Sequence, residues 1–513
     1  MVNRCFNFIK PSSKWKIVSF STHSLPNLDL FCHFSSQTPT KIPNPHGGSY
    51  TKKEQTLLSM FKKACTKKDI EQLHAHVVQT GFTQNLFVVG KIIVSCAVSN
   101  EGSMDYAISV FEKIENPDGF LWNTMIRGFA RMNQVDKTFC YYKKMLDHGG
   151  VADNFTLSFL LKASGQSGSV LLGKQIHSSV IKHGLENHVF VRNTLIHMYG
   201  TLKNVQVARQ LFDEMPKPDL VAWNTIIDCH VCCGKHKEAL DLFSRMQEAH
   251  IKPDDATLVV ILSACATLGA LDLGTWVHSI INTRLLMNDI SIVNSLIHMY
   301  TRCGELEEAQ TIFSKTNNKN IVTWNTMILG LATHGHVQEA INIFSLMINK
   351  KLALPTDVTF LGVLSACSHG GMIEKGRQIF NKMIKEYHIT PTIKHYGCMV
   401  DMLCRAGLVV EAYELVQNMP MECNSIIWRT ILAGSRVHGN VKLAEIVRRN
   451  LLEVEDHSSD YVLLANTYAS LEDWNQVSRV RRLMIDNGVQ KPSPGNSFNI
   501  RNGNGIGLFC YDR

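Results

Sequence analysis

Apolar residues along this chain recur three and four positions apart in short runs that stop and restart at regular intervals. Between Leu220 and Asp254, Trp223, Ile226, Ile227 and Val231 mark one face of a first helix. Gly234 interrupts the pattern, and Ala239, Leu242, Phe243 and Met246 mark a second helix. Pro253 closes the unit, because proline lacks the N–H that a continuing helix needs. The same pattern occurs upstream at 119–153, which opens GFLWNTMI, and downstream at 321–356, which opens IVTWNTMI and carries one additional residue. Helix pairs at a fixed period predict an all-α solenoid, since a lone pair cannot bury its apolar stripe and must stack on its neighbours.

Two other kinds of unit fill the intervals. A longer one with a Leu-Gly-Lys-x-Ile-His signature spans 154–188, with copies at 51–85, 255–289 and 357–392. A shorter one spans 189–219, with copies at 86–118, 290–320 and 393–424. The order long, short, Trp-Asn therefore repeats from residue 51 to 424, giving an expected array of 11 repeats. Two further helical units, 425–458 and 459–492, precede a Gly-rich, non-helical segment at 493–513.

These triplets, with WNTMI, LLxA and NxLIHMY openings and MPxPD endings, resemble the pentatricopeptide repeat family in its plant PLS class, the Trp-Asn units being the P repeats. The units at 425–492, containing IIWRTILAGSRVHGNVKLAE and DYVLLANTYASLEDWNQVSRVRRLM, resemble the E-type extension of that class. A tetratricopeptide array is the nearest competitor, but its Trp-x-x-Leu-Gly-x-x-Tyr core is absent. The resemblance implies a right-handed α-solenoid superhelix of stacked helix-turn-helix repeats that binds RNA.

Composition narrows the class. With 45% hydrophobic and 19% charged residues and no apolar run long enough to span a bilayer, neither a transmembrane segment nor a membrane partner is expected. Half of the formal +8 charge sits in residues 1–50, where Arg4, Lys10, Lys14, Lys16 and Lys41 face the single acid Asp29. The body is only mildly basic, so nucleic-acid binding must rest on placed polar side chains rather than on a general positive field. The first fifty residues also hold eight serines and scattered prolines without helical periodicity, which is transit-peptide composition. Their segment KWKIVSFST (14–22) favours a mitochondrion, with the chloroplast as the alternative. The rival reading of 1–50 is a disordered tail without an address. Fifteen cysteines, placed singly among apolar positions such as Cys265, Cys303, Cys367 and Cys398, suit a reducing compartment better than a disulfide framework.

One polar register stands out. Asn123, Asn193, Asn224, Asn294 and Asn325 are each the fifth residue of their unit. A lone asparagine near a helix start serves as an N-cap or a local backbone partner. Recurrence through stacked units instead aligns five carboxamides along one face. The final residues of the same units are polar too: Asp153, Asp219, Asp254, Asn320 and Thr356. Each immediately precedes the next first helix and is expected near the asparagine of its own unit. A carboxamide both donates and accepts, which suits a splayed RNA base: uracil offers N3–H and O4, and asparagine matches both. Aspartate only accepts, so its expected part is to orient the amide or to bind through water. The family resemblance implies that these two positions are the base-selecting pair. On that reading Asn123/Asp153, Asn193/Asp219 and Asn224/Asp254 select uracil, Asn294/Asn320 accepts either pyrimidine, and Asn325/Thr356 departs from the pattern and prefers a pyrimidine. Phe120, Phe190, Val221 and Val322, at the second position, would pack against base faces, with Ser291 departing.

Other candidates read as structure. Trp122, Trp223 and Trp324 precede Met or Ile by three and four residues and are expected in the core. His74, His177 and His278 share a register in the long units, too far apart to share an ion, and are expected to pack or cap. The stretch Cys229-His-Val-Cys-Cys-Gly-Lys-His236-Lys-Glu238 imitates a zinc deaminase, yet its Cys-x-x-Cys and His-x-Glu stand in the reverse order within a repeat whose sister copies lack them. Ordinary helix and turn residues are expected there, with no metal and no cofactor. The longest members of the PLS class carry a deaminase domain. Here Pro494-Gly495 matches the segment leading into it and Asn496 and Phe498 depart from its Cys and Trp; no catalytic domain is expected. The expectation is thus a non-enzymatic organellar protein that recognises single-stranded RNA for C-to-U editing. A deaminase-bearing or accessory editing-complex protein would join through the C-terminal extension. The alternatives are RNA stabilisation, splicing or translation without editing, and a protein-binding helical scaffold.

Overall fold

The computed structural model describes residues 60–61, 67–99, 102–283, 286–455 and 457–489. The expected leader at 1–50 and the segment 493–513, with Asn496 and Phe498, lie outside the described residues. Among the described residues there are 25 α-helices, a 3-10 turn at Leu286–Asn288 and no strand. No helix there is long and apolar enough to cross a membrane.

Each repeat folds as a helix pair. In the unit that opens at Leu220, helix Leu220–Cys232 is followed by His236–Glu248, and Gly234 turns the chain between them at φ +74°, where a side chain would be strained. The shorter units differ in the second helix. It runs Val205–Asp213 or Leu306–Lys315, against Val135–Asp147 or Val337–Asn349 in the Trp-Asn units, so about one turn is missing.

The chain forms two compact units divided between Ile280 and Ile281. In the first, the opening helices Leu86–Val98, Gly119–Arg131, Asn154–Gln166, Val189–Thr201, Leu220–Cys232 and Asp255–Leu268 pack successively on one another as one layer. The second helices Met104–Phe111, Val135–Asp147, Val170–Lys182, Val205–Asp213 and His236–Glu248 each pack on their own opening helix. The second unit repeats the plan with opening helices Ile290–Cys303, Ile321–Thr333, Asp357–His369, Ile393–Arg405, Ser425–Val437 and Ser458–Ala469. The expected all-α solenoid is the fold of each.

The tryptophans sit in this core. Trp122, Trp223 and Trp324 are 4%, 5% and 3% exposed. Each meets edge-on a phenylalanine from the second helix of the preceding short unit: Phe111 at 4.8 Å, Phe212 at 4.7 Å and Phe313 at 5.1 Å between ring centres. Such pairs add about 0.5–1.5 kcal/mol to the burial itself, and they fix the Trp-Asn unit against its neighbour at the same point each time.

Where a short unit meets a Trp-Asn or extension unit, the opening helices approach closely at one glycine. A Cβ on Gly128 would lie 3.0 Å from the Ala97 Cβ, one on Gly330 2.6 Å from the Thr301 Cβ, and one on Gly434 2.8 Å from the Cys404 Cβ. At the fourth junction the sizes are exchanged: Gly200 now lies on the short unit, and Cys229 faces it, 2.7 Å from where a Cβ would stand. Cys229 is therefore the large half of a large–small pair.

Candidate nucleic-acid interface

The fifth residue of a unit lies in the second turn of its opening helix, and the final residue caps the opening helix of the next unit. That cap position follows from local chemistry. The Asp153, Asp219 and Asp254 carboxylates accept the backbone N–H of Thr156, Ala222 and Thr257 at 2.7, 2.8 and 2.9 Å, and Asn320 accepts that of Thr323 at 2.9 Å. Thr356 forms a capping box with Thr359. Stacking of the opening helices then brings each asparagine to the cap at the far end of its own unit.

All five pairs meet. Asn123 Nδ2 donates to both Asp153 oxygens at 3.0 and 3.1 Å, Asn193 Nδ2 to Asp219 at 3.2 Å, and Asn224 Nδ2 to Asp254 at 2.9 Å. Asn294 Nδ2 donates to Asn320 Oδ1 at 3.3 Å and Asn325 Nδ2 to Thr356 Oγ1 at 3.2 Å. The asparagines are thus not the caps; they are held by the caps. Asn123, Asn193 and Asn325 are buried, Asn224 and Asn294 half-buried, while Asp153, Asp219 and Asn320 stand exposed. At the second position of the same units Phe120, Phe190, Val221 and Val322 are half-buried and Ser291 is exposed. The long units that open at 154, 255 and 357 place Ser158, Val259 and Leu361 at the fifth position, and the first and last short units Gly90 and Gly397, so none of these five carries a carboxamide there; the long unit at 51–85 has Gln55.

Four residues that the sequence reading passed over complete the arrangement. Thr156, Thr257, Thr323 and Thr359, three residues beyond each cap, turn their hydroxyls onto the asparagine oxygens at 2.5–2.7 Å. Their signal was the Asp/Asn/Thr-x-x-Thr spacing, a capping-box pattern that local reading assigns wholly to helix starts.

The other candidates have structural partners. His74 Nδ1 lies 2.7 Å from the Tyr106 hydroxyl and His177 Nδ1 2.9 Å from that of Tyr199, the latter rings edge to face at 5.6 Å. Burial holds both imidazoles below their ordinary pKa and both phenols above theirs. In the deaminase-like stretch, burial pushes the Cys229 and Cys232 thiols up to about 12, the opposite of what a thiolate ligand needs. Cys265 and Cys367 are buried, Cys303 and Cys398 half-buried.

Comparison with known proteins follows the same lines. Models described as PPR repeat family match residues 117–165, 218–267 and 319–369. PPR repeat models match 190–218, 291–321, 358–388 and 388–420, and an E motif model matches 438–498. An Arabidopsis thaliana pentatricopeptide repeat-containing protein named as chloroplastic/mitochondrial is 38% identical over 94% of this chain and 77% of its own length. Another from Arabidopsis thaliana, named as chloroplastic, is 35% identical over 93% of this chain and 79% of its own length. The crystal structure of the pentatricopeptide repeat protein PPR10 from maize shares the fold, with a TM-score of 0.58 and 18% identity over 91% of this chain and 77% of that one. The chain belongs to the pentatricopeptide repeat family, as a PLS-class member of the E subgroup.

Proposed function

We propose that this protein binds single-stranded RNA of a plant organelle in a sequence-specific way, and that it is a site-recognition factor for C-to-U editing. The observation that carries the reading is the repeated pairing of Asn123, Asn193, Asn224, Asn294 and Asn325 with the caps of the following helices. A carboxamide whose N–H₂ is turned to a cap keeps one N–H and one oxygen lone pair for a base edge, which matches the N3–H and O4 of uracil. A protein-binding groove would need varied rather than repeated polar residues. The E motif match at 438–498 favours editing over stabilisation, splicing or translation, as the family recruits editing partners through that extension. A deaminase in trans is the partner we assign to it. Relatives named chloroplastic or mitochondrial support an organellar address, and the composition of residues 1–50 favours the mitochondrion.

With one nucleotide per repeat and the unit at 393–424 set four nucleotides upstream of the edited cytidine, the family's pairing rule gives a target. Uracils fall twelve, ten and nine nucleotides upstream, read by Asn123/Asp153, Asn193/Asp219 and Asn224/Asp254. Pyrimidines fall seven and six upstream, read by Asn294/Asn320 and Asn325/Thr356. Sequencing organellar RNA from plants lacking the protein tests the function. Loss of conversion at one cytidine preceded by this pattern is expected. Normal editing with altered transcript ends or retained introns would replace the editing role by one of the alternatives.

A further inference from the structure

In four of the five paired repeats the asparagine amide has two protein partners, and in one it has a single partner. The threonine hydroxyls decide the difference. Each accepts the backbone N–H of the cap residue, from Asp153 at 3.2 Å, Asp254 at 3.1 Å, Asn320 at 3.2 Å and Thr356 at 2.9 Å. The single hydroxyl proton then chooses between the asparagine oxygen and the cap oxygen, and the asparagine is nearer every time. The distances are 2.7 against 2.8 Å for Thr156, 2.5 against 2.8 Å for Thr257, 2.7 against 3.0 Å for Thr323 and 2.6 against 3.3 Å for Thr359. A donor on one side and an acceptor on the other leave the amide one orientation. Flipping it would set its N–H₂ against a committed hydroxyl proton and, where the cap is Asp153, Asp254 or Asn320, its oxygen against the cap oxygen.

For the pair Asn193/Asp219 the corresponding residue, on the following repeat, is Ala222. Asn193 is 3% exposed, still donates to Asp219, and its Oδ1 is buried without a hydrogen-bond partner. A buried carbonyl without a donor is unfavourable, so this amide gains from moving toward any donor that arrives.

We propose that Thr156, Thr257, Thr323 and Thr359 are positioning residues for base selection, and that Asn193, lacking one, discriminates between uracil and cytosine less sharply than Asn224. The inference rests on the base-selecting reading of the asparagine–cap pairs and extends it to a third position on the following repeat. Cytosine carries a donor amine where uracil carries O4 and an acceptor N3 where uracil has N3–H. A locked amide meets opposition to that reversed order at both ends, whereas turning Asn193 is opposed at one end only, by the Asp219 carboxylate.

The test uses the full chain and single-stranded RNAs differing only at the ninth or the tenth upstream nucleotide. Thr257→Val keeps the shape and removes the hydroxyl; the uracil-to-cytosine affinity ratio at the ninth nucleotide should fall roughly fivefold, the worth of about one hydrogen bond. Thr257→Ser should restore the ratio, and Ala222→Thr should raise it at the tenth nucleotide by a similar factor, with other positions unmoved. Thermal unfolding of each variant separates this from a purely structural role. If Thr257→Val weakens uracil and cytosine binding alike, and Ala222→Thr changes only the unfolding temperature, the threonines are helix caps and the inference is overturned. Asn224→Thr serves as the control: if it shifts base preference while the threonine variants do not, the present inference alone fails. If Asn224→Thr also leaves preference unchanged, the base-selecting reading fails with it.

Discussion

At the scale of single residues, the same face that carries the asparagines also carries histidines whose titration is set by burial. His197 lies one turn beyond Asn193, and burial, then the charge of Lys162, lowers its pKa to about 4 from an ordinary 6.5; His298, at the same register, is lowered by burial and then by Arg302. The folded chain therefore resists a proton that the unfolded chain accepts near pH 6.5. Stability is unaffected above about pH 6.5, falls as the pH drops toward 4, and levels off below that for His197. Each such histidine contributes at most about 1.4 kcal/mol per pH unit, less where water screens it. Thermal unfolding between pH 7.5 and 4.5 should show a falling midpoint, and His197→Gln should flatten the slope; an unchanged slope would mean that the imidazole is not desolvated. The asparagine register was legible in the sequence because identical side chains recurred at identical places. The threonines were not, because a threonine three residues after an aspartate is fully explained by capping when only one helix is in view. Its second bond, to an asparagine about thirty residues earlier, exists only after stacking.

At the scale of elements, the helix pairs follow from apolar periodicity punctuated by glycine and proline, and opening helices start at Gly119, Val189, Leu220 and Ile321. The stretch that imitated a metal site shows the limit of local reading. Cys229 has no counterpart in its sister units because its reason lies on the neighbouring helix, where Gly200 yields the space that a glycine at 128, 330 or 434 yields elsewhere. Gly200→Ala should destabilise the first unit by about 1–3 kcal/mol through overpacking. Gly200→Cys should cost at least as much, and combining it with Cys229→Gly recreates the arrangement of Cys404 and Gly434 and should recover most of that loss, measured by denaturant unfolding. A double variant as unstable as Gly200→Cys alone would show that the junction is not governed by paired volumes.

At the scale of the whole molecule, the proposed function assigns recognition and recruitment to different stretches of sequence. The asparagine–cap pairs all lie before residue 357, whereas the E motif match begins at residue 438 and includes the exposed Trp474 and Ile485, 64% and 75% accessible. Large apolar side chains left in water suit a partner surface. Trp474→Ala combined with Ile485→Ser should lower editing when returned to a plant lacking the protein, while RNA affinity in vitro stays within about twofold. Equal loss of both would mean that the extension takes part in RNA binding. The purified chain, supplied with zinc and target RNA but no other protein, should convert no cytidine, and conversion under those conditions would end the account of a recognition subunit. The central claim is that each asparagine–cap pair reads one base, and one binding experiment tests it most directly: the affinity of the full chain and of Asn224→Thr for RNAs varied one nucleotide at a time. A shift of preference from uracil toward purine at the ninth upstream nucleotide is predicted, worth about 1–3 kcal/mol by analogy with bidentate base contacts, with every other position unmoved. An equal fall in affinity for all four bases at that nucleotide would make Asn224 a structural residue and contradict the claim.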